Sequence, residues 1–109
     1  MRRAKILFRN EAAGLLTQHD DGTFSFRYFD EWVADTSRPD ISLTLPKETK
    51  EFHSKYLFPF FYHLLPEGSN REVICQFYRM DSDDYFGLLL KVGSQDCIGA
   101  IQVMNVETS

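Results

Sequence analysis

The sequence predicts an α+β fold: a small antiparallel β-sheet or partial barrel packed against three short helices, in a single domain spanning residues 1–109. Three observations predict it. Period-two alternation of apolar and polar residues recurs in the first half, most clearly in Thr23-Phe24-Ser25-Phe26-Arg27-Tyr28. Apolar residues at helical spacing are confined to the second half, between Tyr56 and Val92. Turn-forming residues divide both halves into pieces too short for a long helix or a parallel crossover.

Ala4–Phe8 reads as the first strand, Glu11–Gly14 as a turn with Gly14 free to take positive φ, and Leu15–Thr17 as a second short strand. His19-Asp20-Asp21-Gly22 marks a hairpin connection. The alternating stretch after it places Phe24, Phe26 and Tyr28 on the core side, so the first 30 residues form a meander. Asp30–Ala34 is long enough for one helical turn, and Pro39 sits in a polar loop. Ile41-Ser42-Leu43-Thr44-Leu45 alternates again and reads as a strand stopped by Pro46. Lys47–Ser54 is polar and reads as a loop.

The first helix of the second half should start near Phe58, because Pro59 suits a first helical turn. Pro66 and Gly68 break it. Ser69 or Asn70 then caps a helix over 71–80 with Val73, Ile74 and Phe77 inward. Ser82 is a candidate cap for a leucine-rich helix over 85–92 that Gly93 terminates, with Asp83 and Asp84 near its positive end. Ile98–Met104 is the closing strand.

Composition bounds the function. Hydrophobic residues make up 43% of the chain and aromatics 15%, including ten phenylalanines and one tryptophan, enough for a packed core without disulfides. The formal net charge of −4 argues against direct nucleic-acid binding, and Met1–Lys5 reads as a basic terminus feeding the first strand. Cys75 and Cys97 have no metal-ligand spacing and suit a reducing compartment. With no apolar run of spanning length and no signal-peptide pattern, the expectation is a cytoplasmic protein without membrane contact.

No residues assemble a catalytic, cofactor or metal motif. His19, His53 and His63 lack HxxH or HExxH spacing, and neither a phosphate-binding glycine loop nor a nucleophile elbow occurs. Asp84-Tyr85-Phe86-Gly87 has the look of a kinase Asp-Phe-Gly interrupted by a tyrosine, and reads as a helix start followed by core. Trp32 has two readings: burial at the sheet edge, or an anchor at an interface. The corner Leu64-Leu65-Pro66-Glu67-Gly68 with Asn70 and Arg71 is a helix break carrying charges that could pair across an interface or be solvated. Gly93…Asp96…Gly99 reads as a glycine-bracketed turn.

Taken in order, these pieces resemble the N-terminal domain of the HipA family of serine/threonine kinase toxins. The matching pieces are Phe24-Ser25-Phe26-Arg27-Tyr28 and Trp32, then Ser42-Leu43-Thr44-Leu45-Pro46. Next come Phe60-Phe61 with Leu64-Leu65-Pro66-Glu67-Gly68 and Arg71, followed by Asp84, Phe86 and Leu88-Leu89. Gly93, Asp96 and Gly99–Val103 complete the set. In that family a much larger kinase body follows, whereas this sequence stops after its last strand. It is thereby similar to the HipS-type small subunits of tripartite HipBST toxin–antitoxin systems.

The resemblance implies a non-enzymatic antitoxin subunit that binds and inhibits a HipT-type kinase, in a complex with a HipB-type helix-turn-helix protein. It implies no catalytic residues here, because those lie in the kinase body. On this reading Trp32, Leu65, Pro66, Glu67, Asn70 and Arg71 are the candidate partner-binding residues. The competing readings are a structural adaptor between kinase and DNA-binding protein, an N-terminal fragment of a full-length kinase and, last, a small enzyme.

Overall fold

The computed structural model describes residues 1–65, 68–81, 83–95 and 100–106. These form an antiparallel five-stranded sheet with helices, in the order β1 (Arg2–Phe8), β2 (Glu11–Gln18), β3 (Phe24–Tyr28), α1 (Asp30–Ala34), β4 (Glu51–Ser54), α2 (Pro59–Tyr62), α3 (Gly68–Tyr78), α4 (Tyr85–Gln95), β5 (Ile101–Asn105). The strand order is β4-β3-β2-β1-β5, an open sheet rather than a barrel. The α+β expectation therefore holds, with Asp30–Ala34 counted as a fourth helix.

The β1–β2 turn is Arg9-Asn10, not Glu11–Gly14. Both turn residues have positive φ, 51° and 68°, the geometry that matches the twist of a two-residue hairpin. Gly14 sits inside β2, just after a bulge at which Ile6 pairs Gly14 and Leu7 pairs Ala12. Its glycine is required by close approach. An added Cβ would lie 2.6 Å from the Arg27 carbonyl oxygen and 2.7 Å from the Phe26 ring. The β2–β3 loop closes as expected around Gly22, φ 88°, with the Asp21 carboxylate accepting the Thr23 amide at 3.0 Å.

Phe24, Phe26 and Tyr28 all face the core, as their alternation predicts. The Phe26 ring meets Tyr28 at 4.9 Å and Phe61 of α2 at 5.5 Å, joining sheet to helix. Pro59 occupies the first turn of α2, with Phe58 as N-cap. Phe86, Leu88 and Leu89 of α4 complete the buried layer. Asp84 caps α4: its carboxylate accepts the Gly87 amide at 3.1 Å. The same carboxylate takes the Arg2 guanidinium at 2.6 and 3.1 Å, which holds its pKa below the ordinary range and ties the start of β1 to α4. α4 runs through Gly93 to Gln95, so this glycine does not end it. Ser82, Asp96, Cys97, Ile98 and Gly99 lie outside the described residues.

Two expectations around β4 reverse. Ile41–Leu45 forms no strand; its only pairing is an isolated bridge between Ser42 and Leu45. Lys47–Ser54, expected as loop, contains β4, in which Phe52 pairs Phe26 across the sheet. The apolar alternation of 41–45 arises because Ile41 and Leu45 both anchor a loop in the core, with Leu43 at its apex.

Trp32 takes its burial reading. It is 1% exposed, with the Phe8 ring T-shaped to it at 5.9 Å between ring centres and the Arg38 guanidinium 4.9 Å from its ring centre. Its indole N–H donates to the Pro39 carbonyl at 2.9 Å. An interface anchor in that position would first have to leave the core.

Two outcomes follow from this packing. Gly14→Ala should destabilise the fold by about 1–3 kcal/mol, since a backbone oxygen and a buried ring must both move. Trp32→Ala should cost about 3–5 kcal/mol through the cavity it leaves. Thermal melts of both variants check these values, and a wild-type melting temperature for Trp32→Ala would contradict the assigned burial.

Candidate interaction surface

Three elements meet at the candidate surface: the end of α2, the first turns of α3 and the start of α4. α3 begins at Gly68, earlier than the expected Arg71, which puts Ser69 and Asn70 inside its first turn. The helix ends at Tyr78, and the positive φ of 56° at Arg79 allows the Met80 amide to reach back to the Cys75 carbonyl at 2.8 Å. That is the left-handed termination in which a late amide satisfies a carbonyl of the last turn.

Arg71 lies over two rings at once, 5.4 Å from the centre of Tyr62 and 5.5 Å from that of Tyr85. The two tyrosines meet edge to face at 5.3 Å. This stack binds α3 to α2 and α4 through the apolar face of a guanidinium. Arg71 is thus part of the internal packing of the helices, half-buried. Leu65 is buried at 4% exposure and belongs to the core. Asn70 is exposed. Pro66 and Glu67 lie outside the described residues. Of the six candidates, Leu65, Asn70 and Arg71 share one region, while Trp32 lies in the core, on α1 and against the loop at Pro39.

The inward face of α3 is not the expected one. Ile74, Cys75 and Tyr78 turn towards the core to different depths, whereas Val73 is 63% exposed and Phe77 78% exposed. Positions 70, 73 and 77 fall on one side of a helix, so Asn70, Val73 and Phe77 form a continuous, mostly apolar outer ridge. Sequence periodicity missed this because α3 carries apolar residues on both faces. Spacing alone makes 73–74–77 as good a core stripe as 74–75–78. A tighter signal was the stacking chemistry of Arg71, which fixes the helix rotation once paired with Tyr62 and Tyr85.

Elsewhere, Lys47 serves as a cap for α1 and its following turn. Its ammonium donates to the carbonyls of Asp35 at 2.7 Å and Arg38 at 2.5 Å, with that of Trp32 at 3.4 Å. Hydrogen bonds from the Ser37 hydroxyl and amide, and then from Arg38, hold the Asp35 carboxyl down to about 2. Among the described residues no group of three or more His, Cys, Asp or Glu side chains is arranged to hold a metal ion. Among them, too, no helix is long and apolar enough to cross a membrane.

Comparison with known proteins agrees with this architecture. The pattern of the HipA N-terminal domain family matches residues 4–104. A Haemophilus influenzae protein titled "Uncharacterized protein" is 34% identical over 103 residues, covering 94% of this chain and 92% of its own length. "Putative kinase Y4mE" of Sinorhizobium fredii is 32% identical over 104 residues, covering 95% of this chain but 24% of its own length, so the chain spans about a quarter of that relative. A solved structure titled "N-terminal domain of HipA toxin" superposes with a TM-score of 0.75 at 31% identity, covering 100% of this chain and 96% of that one. In sequence and in fold, then, the chain belongs to the HipA N-terminal domain family.

Proposed function

We propose that the chain is a HipS-type regulatory subunit that binds and inhibits a HipT-type serine/threonine kinase toxin, within a complex whose DNA contacts come from a HipB-type helix-turn-helix protein. The observation that carries the reading is the outer ridge of α3, where Asn70, Val73 and Phe77 leave an aromatic and a β-branched side chain in water. A small domain gains nothing from exposing Phe77 alone. A partner that covers it recovers its transfer free energy, about 25 cal/mol for each Å² of apolar surface removed from water.

Family membership supports a kinase as the partner. In the Sinorhizobium relative this domain makes up about a quarter of a chain titled as a kinase. A domain that shares a chain with a kinase carries a face suited to it, and the same face can act between separate chains. Leu65, at the end of the preceding segment, is buried in the core, and α3 carries the ridge from Gly68 onward. The Arg71 stack on Tyr62 and Tyr85 keeps the helix rotation that presents it. Restraint then works by steric occlusion or by favouring an inactive kinase arrangement, with this chain supplying a rigid surface and no chemical step.

The direct test is phosphorylation by the purified kinase with and without the chain. Inhibition by the wild type is expected. Phe77→Ser and Val73→Ser should each weaken kinase binding by about 1–3 kcal/mol while leaving the melting temperature near its wild-type value. Arg71→Ala should weaken binding and also lower the melt, because its ring stack is internal. Full kinase activity inside a complex that still forms would make the chain an adaptor, and failure to form a complex would reject the reading altogether.

A further inference from the structure

Leu43 is 97% exposed, the most exposed large apolar residue among the described residues. A single exposed leucine is ordinary on a soluble protein. What is unusual is how firmly this one is held. Ile41 and Leu45, on either side, are buried. The Tyr28 hydroxyl, itself buried in the sheet, accepts the Ile41 amide at 3.0 Å and donates to the Leu45 carbonyl, clamping both ends of the turn. Within the turn the Leu45 amide reaches the Ser42 carbonyl at 3.1 Å, and the Ser42 hydroxyl accepts the Thr44 amide at 3.2 Å. Outside it, the Asp40 carboxylate accepts the Lys47 amide at 2.8 Å, and the Lys47 ammonium is spent on backbone carbonyls. The tip Ser42-Leu43-Thr44 therefore carries no charge, although the chain as a whole carries −4.

We propose that Leu43 is a preorganised anchor that inserts into an apolar pocket on the kinase body. The inference rests on the reading of the chain as a kinase-binding subunit and adds a second contact, distant in sequence from α3. Two features suit this tip to an interface. The centres of protein interfaces are depleted in charge, and this tip is the uncharged end of a loop whose Asp40 and Lys47 are turned onto its own backbone. A rigid turn loses little conformational entropy on docking, so an apolar side chain on it contributes more to affinity than one on a mobile loop. The partner of stated chemistry is the kinase because the same domain occurs in one chain with the remainder of "Putative kinase Y4mE".

The experiment is calorimetric titration of the full chain into the purified kinase, comparing wild type, Leu43→Ser and Leu43→Met, with thermal melts and sedimentation of each chain alone. The expected result is at least a tenfold loss of affinity for Leu43→Ser, affinity within about threefold of wild type for Leu43→Met, and unchanged melts for both. Equal binding by wild type and Leu43→Ser overturns this inference and leaves the kinase-binding reading standing. No binding by the wild type overturns both. A lowered melt for Leu43→Ser makes the leucine structural. A shift of the isolated chain from dimer to monomer, with kinase affinity unchanged, assigns the tip to self-association. Either of these last two results overturns the proposal.

Discussion

The hydroxyl of Tyr28 is the point on which the rest of this structure turns. It ends strand β3 and lies in the core, where burial pushes its pKa up to about 12. From there it satisfies one backbone donor and one backbone acceptor of a loop more than ten residues away, at Ile41 and Leu45. A buried phenol without partners costs free energy, and so does a buried amide or carbonyl. The three groups solve that problem together, and the solution fixes where residues 39–47 run. That path brings the Pro39 carbonyl to the indole of Trp32 and the Lys47 ammonium to the end of α1. The short helix, the tryptophan and the exposed turn at Leu43 thus depend on a single buried oxygen.

The other half of the molecule is organised by aromatic stacking. Phe61 on Phe26 brings α2 onto the sheet, and Arg71 between Tyr62 and Tyr85 sets α3 against α2 and α4. Both arrangements use the large flat surfaces of aromatic rings where a chain of this size has few long aliphatic helices to pack. Once α3 is locked in this rotation, Val73 and Phe77 have nowhere to go but outward. The exposed ridge is a consequence of how the core is satisfied.

The sheet was the most legible part of the sequence, because Phe24, Phe26 and Tyr28 alternate strictly and a strand with one buried face leaves that trace. Two-residue turns were harder. Arg9-Asn10 adopts positive φ without a glycine, while Gly14, which looked like a turn residue, is a strand position forced by the approach of Phe26 and Arg27. Ile41–Leu45 has the alternation of a strand and the hydrogen bonding of a pinned loop; period two reports which residues are buried and is silent on what they bond to. The candidate surface was legible only in outline. The family resemblance led to the corner at Leu65 and Arg71, but the rotation of α3 is set by tertiary contacts between residues 62, 71 and 85 that no local spacing encodes.

The central claim is that the Tyr28 hydroxyl ties the loop to the sheet and so sets the surface that the domain presents. Amide hydrogen exchange in Tyr28→Phe tests it most directly, because the substitution keeps the ring and removes one oxygen. The account predicts that the Ile41 amide exchanges at least tenfold faster than in the wild type, as expected for loss of a bond worth about 1.4 kcal/mol, while the β1–β2 amides keep their protection. Unchanged exchange at Ile41, or equal acceleration across the whole sheet, would contradict it.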